Sequence, residues 1–137
     1  MNNVKYLKSL YAAFGRGDMP AVMEGMHPKM VWHEAEGNPY AKSSGEPFNG
    51  PDEVLNKLFM RLNDEWDDFT VTPEKFHDAG DTIIVEGRYT GTYKETGRAQ
   101  DSPFCHIWHM KDEKFSEFQQ YTNTAALQEV MGVAHAV

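Results

Sequence analysis

The chain has 137 residues, 40% of them hydrophobic and 25% charged, with eight Phe, six Tyr and three Trp. That size and aromatic content fit one domain, residues 1–137, around a single core, and they exclude a disordered chain. A net charge of −8 excludes the basic footprint that nucleic acid or an anionic membrane requires. Cys105 alone permits neither an intrachain disulfide nor a multi-cysteine zinc site. With no apolar run near the ~20 residues of a membrane span, the expectation is a cytoplasmic protein.

In chain order, Val4, Leu7, Leu10, Tyr11 and Phe14 recur at helical spacing and predict a first helix ended by Gly15-Arg16-Gly17. Asp18 can cap a short second helix carrying Pro20 in its first turn, stopped by His27-Pro28. Met30 to Glu36 reads as a strand with Trp32 and Glu34 on one face, followed by a loop from Gly37 to Asn49. Gly50-Pro51-Asp52-Glu53 opens a third helix with Val54, Leu55, Leu58, Phe59 and Leu62 in phase. Strands follow over Phe69–His77, Thr82–Tyr93, Pro103–Met110 and Lys114–Asn123, then a helix over Thr124–Met131. The closing segment from Gly132 to Val137 adds no motif. This order predicts an α+β fold with a mixed, mostly antiparallel sheet.

Three segments, AAFGRGDMPAVMEGMHPKMVWHE, FNGPDEVLNKLF and FCHIWHMKDEKFSEFQQYTNTAAL, make the chain resemble the nuclear-transport-factor-2-like superfamily, within it the SnoaL-like polyketide cyclase relatives. The resemblance implies a curved sheet wrapped around the N-terminal helices as a cone with an internal apolar pocket, and pairing of two chains through the sheet's outer surface. The roles known in the superfamily are many, so the site is argued from its own residues.

Pairing Met110 with Phe115 across the last hairpin puts Phe104, His106, Trp108, Gln119, Tyr121 and Asn123 on one face, a surface suited to an organic ligand. A one-residue slip would exchange the faces. His106 can give or take a proton at neutral pH, or be a hydrogen-bonded core histidine. His109 points the other way along the strand, so HIWH is no metal pair and no metal or cofactor is expected. Asp101 could orient His106 or be an ordinary turn residue.

Aligned with ketosteroid isomerase, Glu34 falls where that enzyme has its proton-abstracting aspartate, while the oxyanion tyrosine falls at Leu10, one position from Tyr11. Steroid isomerisation itself is therefore not expected. The alternative for Glu34 is a solvated strand end. Asn123 stands where SnoaL-like relatives have Asp, and it can bind a ligand or cap the last helix but exchanges no proton. Tyr11, Trp32 and Phe59 are core or pocket wall. The expectation is a cofactor-independent enzyme acting by proton transfer on a small apolar cyclic molecule, with a binding protein or dimerisation module as the alternative.

Overall fold

The structure is a computed structural model that describes residues 2–133; the last residues of the closing segment, 134–137, lie outside it. Helix α1 (Asn3–Gly15) starts where the Asn2 side chain accepts from the Lys5 backbone N–H at 3.0 Å, and it buries Leu7, Leu10, Tyr11 and Ala13 at the expected spacing. Helix α2 (Met19–Glu24) is capped by Asp18, which accepts from the Ala21 N–H at 3.2 Å. Its end crowds α1: a Cβ on Gly25 would stand 2.5 Å from Leu10 Cδ1, so any side chain there would force Leu10 to move.

Strand β1 (Met26–His33) begins four residues earlier than expected and ends three earlier. Pro28 lies inside it, between Met26 and Val31, where the pairing shifts register and a missing N–H costs no ladder bond. The short β2 (Phe48–Asn49), inside the stretch read as loop, pairs with its edge. Next, α3 (Pro51–Val54), a π-helical segment (Leu55–Phe59) and α4 (Met60–Glu65) run on end to end. In the π-helical part the Met60 N–H donates to the Leu55 carbonyl, five residues back.

Strands β3 (Trp66–Ala79), β4 (Thr82–Tyr93), β5 (Ala99–Lys111) and β6 (Lys114–Thr122) and helix α5 (Thr124–Met131) complete the described chain. The sheet order is β2-β1-β6-β5-β4-β3, antiparallel except for β1 with β6.

Met110 does pair with Phe115, but the register shifts between His109 and Met110, so His109 meets Glu117 where an unbroken ladder would give Ser116. That bulge moves every later partner by one residue. Trp108 faces Phe118, His106 faces Gln120 and Phe104 faces Thr122. The inner surface therefore consists of cross-strand rows, Trp32–Phe118–Trp108–Ile83 and Gln120–His106–Val85–Phe76 among them. Gln119 and Tyr121, expected inside, lie on the outer face, where Tyr121 is 55% exposed.

Beyond the second row, Phe104 lies over Gly87 of the next strand, and a side chain there would collide with its ring. The buried core gathers between this concave face and helices α1 to α4, with Trp32 stacked on Phe118 at a centroid distance of 3.7 Å.

Candidate active site

A cavity of about 90 Å³ lies within the concave face, lined by Tyr11, Phe14, Trp32, Glu34, Asn38, Tyr40, Phe59, Tyr89, His106, Trp108, Phe118 and Gln120, with further apolar neighbours. It shares Phe14, Phe59, Leu62, Trp66 and Phe69 with an outer cleft of about 510 Å³, which Asp64 and Asp68 also line and no Lys or Arg does. Nothing along this route is built to hold a phosphate or several carboxylates.

Glu34 follows the last residue of β1 and continues inward beside Trp32. The Trp32 Nε1–H donates to Oε1 at 3.2 Å and the Asn38 amide to Oε2 at 3.3 Å. Burial nonetheless dominates and pushes the carboxyl up to about 7, with the Trp32 bond pulling the other way. Glu34 is thus poised between its two protonation states at neutral pH. Glu36, two residues on, is exposed.

From Glu34 a run of hydrogen bonds crosses the cavity wall. Asn38 also donates to Gln120 Oε1 at 2.8 Å, and that oxygen takes the Ala35 backbone N–H at 3.1 Å. The Tyr40 backbone N–H meets Asn38 Oδ1 at 2.8 Å. These backbone donors fix the orientation of both amides, because only a carbonyl oxygen can receive them. Gln120 Nε2 therefore points the other way, donating to the Tyr89 hydroxyl at 2.9 Å.

Tyr89 in turn touches His106 Nε2, and Tyr11 touches His106 Nδ1 at 2.6 Å. The Trp108 Nε1–H donates to the Tyr11 hydroxyl at 2.9 Å. Phe104 stacks on the imidazole at 3.9 Å. Burial holds the imidazole well below the ordinary histidine range and raises both tyrosines far above theirs; the Trp108 bond partly offsets the rise at Tyr11, and the charge of Glu34 adds to it at Tyr89.

These positions revise several sequence expectations. His106 is inside, yet both ring nitrogens are taken by phenols and the ring is held neutral, so it is not a free base. Asp101 does not orient it: the carboxylate is exposed and accepts from Arg88 Nε at 2.7 Å. Asn123 caps α5, accepting from the Ala126 N–H at 3.1 Å, and does not line the cavity. Phe104 backs His106 without reaching the cavity wall, and Gln119 and Tyr121 face outward. The cavity brings Tyr11, Trp32, Glu34, Phe59, His106 and Trp108 together.

Asn38, Tyr40, Tyr89 and Gln120 were missed. The alternation Ile83, Val85, Gly87, Tyr89 along β4 carried a signal for Tyr89; the others depend on loop path or bulge. Among the described residues, no cluster of three or more His, Cys, Asp or Glu could hold a metal ion.

A strongly curved sheet wrapped around helices over an internal cavity is the cone of the nuclear-transport-factor-2-like class. The SnoaL-like domain family matches residues 7–118, and the chain belongs to that family. It is similar to a nuclear-transport-factor-2-like protein from Burkholderia thailandensis, 35% identical over 93% of this chain and 95% of that one, with a TM-score of 0.86. TerC, crystallised with polyporic acid, is 23% identical over 96% of this chain and 99% of its own, at a TM-score of 0.83. A candidate SnoaL-like polyketide cyclase from Jannaschia is 18% identical over 96% and 92% of the two chains, at 0.81. No curated protein matches the chain.

Proposed function

We propose that this protein is a cofactor-independent enzyme that moves a proton on a small, mainly apolar cyclic molecule, with Glu34 taking and returning it. The observation that carries the reading is a carboxyl on the wall of an aromatic cavity, raised to about 7 and held by Trp32 and Asn38. A base with that affinity is half ionised at neutrality and can still give the proton back, which a solvated glutamate does poorly. The co-crystallised ligand of TerC and the cyclase assignment of the Jannaschia protein support a small organic substrate for this fold.

The cavity sets the scale. At about 90 Å³ it is smaller than the ~150 Å³ space that accommodates benzene, so one ring enters only with some yielding of the walls, and any larger part lies in the outer cleft. The acidic, cation-free cleft favours neutral or cationic substrates.

Glu34→Gln keeps the side chain's shape and one of its two accepted hydrogen bonds, and removes the transferable proton. Turnover of a substrate found by screening falls at least about a hundredfold while its dissociation constant stays within a few fold. Undiminished turnover would remove Glu34 from this role. Tight binding with no turnover in the parent would replace the enzyme by a binding protein.

The same reading includes a cytoplasmic homodimer formed on the sheet's outer face. There Ile84 and Ile107 pair in register, beside the exposed Tyr121. Sedimentation at micromolar concentration gives the mass of two chains; a persistent monomer refutes the pairing.

A further inference from the structure

Tyr11, His106 and Tyr89 form a closed set whose hydrogens can be counted. Each phenol oxygen already receives one N–H from outside the set, Tyr11 from Trp108 and Tyr89 from Gln120. Indole nitrogen is only ever a donor, and the Gln120 amide is locked by the Ala35 N–H, so neither direction can be reversed. Within the set there are two contacts, one at each ring nitrogen. With neutral imidazole and un-ionised phenols there are three hydrogens, two O–H and one N–H.

Two contacts use two hydrogens. One phenol donates to the bare ring nitrogen; the protonated nitrogen donates to the other phenol. That second phenol then accepts twice and has no partner within the set for its own O–H. A protonated imidazole would leave two such O–H groups. His106, Tyr11 and Tyr89 are all nine-tenths or more buried and all line the cavity.

We infer that His106 is a selector: its tautomer decides whether Tyr11 or Tyr89 presents one free O–H to the cavity, and the ligand supplies the acceptor oxygen that receives it. With the proton on Nδ1 the donor is Tyr11; with the proton on Nε2 it is Tyr89. The two donors lie on opposite edges of one ring, so a ligand draws the hydrogen to whichever side its oxygen occupies, and no heavy atom moves. The matching ligand carries a carbonyl or comparable acceptor, since an alcohol brings a hydrogen of its own to be placed. His106 is thus a positioning residue. The inference rests on the cavity being the ligand site proposed above, and on nothing that Glu34 does there.

Nitrogen NMR of the full chain labelled at histidine reads the tautomer directly. Tyr11→Phe leaves Tyr89, at Nε2, as the sole phenol partner of the ring, and Tyr89→Phe leaves Tyr11, at Nδ1. The two arrangements mirror one another, so the ring proton settles on different nitrogens in the two variants. In the parent, cyclohexanone shifts the two His106 signals in opposite directions, whereas methylenecyclohexane, of like shape without an acceptor oxygen, leaves them in place. The same nitrogen protonated in both variants, or equal responses to the two probes, overturns the selector. If either variant fails to fold, the probe pair in the parent decides. No step involves turnover, so loss of activity in Glu34→Gln and failure of the selector are read separately.

Discussion

The two ends of the cavity wall are built on opposite plans. At one end Glu34 stands just beyond the last residue of β1, held by Asn38 of the following loop, and its carboxyl titrates near neutrality. At the other, Tyr11, His106 and Tyr89 project from regular helix and strand, with a phenol at each imidazole nitrogen and the ring held neutral by burial. The group that must change its charge stands where regular strand gives way to loop, and the groups that must not stand on regular helix and strand. Gln120 joins the two ends.

The largest expected effect therefore comes from cutting that joint. Gln120→Leu strands the buried Ala35 N–H and takes one donor from Tyr89 and one acceptor from Asn38, which costs about 4 kcal/mol of stability. Urea unfolding measures it, and a loss below about 1 kcal/mol would mean that the two ends are independent.

The opposed titrations of the two ends give the next effect, and its sign follows from proton counting. In the unfolded chain the glutamate binds its proton below 4.5 and the histidine below 6.5. In the folded chain Glu34 keeps its proton to about 7 while His106 stays neutral. Between 4.5 and 6.5 each state holds one proton across the pair, so their contribution to stability is flat. Below that window the unfolded chain holds the extra proton and acid destabilises; above it the folded chain does, and rising pH destabilises until Glu34 ionises.

Glu34→Gln leaves only the histidine contribution. Its stability advantage over the parent grows as pH rises from 4.5 to 7, by about 3 kcal/mol at most. Unfolding curves at the two ends of that range test it; an unchanged difference between variant and parent would mean that Glu34 is not desolvated.

The smallest effect lies outside the cavity and serves as a reference for both ends. Asp112 and Glu113, in the two-residue turn between β5 and β6, adopt φ of 54° and 62°, where glycine or asparagine is at ease and other side chains are strained. Glu113→Gly stabilises the chain by up to about 1 kcal/mol, as paired melts of variant and parent show.

The sequence made the scaffold readable wherever local rules decide it. Asp18 caps α2, Thr82–Tyr93 alternates as β4 and Thr124–Met131 is α5 with the bounds expected. The site was legible only in part. Glu34 and Trp32 were visible because alternation along one strand places both inward. The extra residue near Ser116 has no local signature, and it exchanged Gln120 for Gln119 and sent Tyr121 outside. Asn38 was beyond reach because the loop that carries it follows tertiary contacts, not a period. His106 was found by its chemistry, but its role depends on two tyrosines at sequence distances of 95 and 17 residues.

The π-helical segment Leu55–Phe59 stores one residue more than an α-helix would need over the same rise. Removing a single residue there would restore α-helical winding and leave the turns on either side in nearly the same phase, so the change falls on the segment itself. Leu58 and Phe59, within it, line the cavity. A one-residue insertion or deletion in this turn is therefore a local dial on the shape of the chamber, one that leaves the rest of the helix in register.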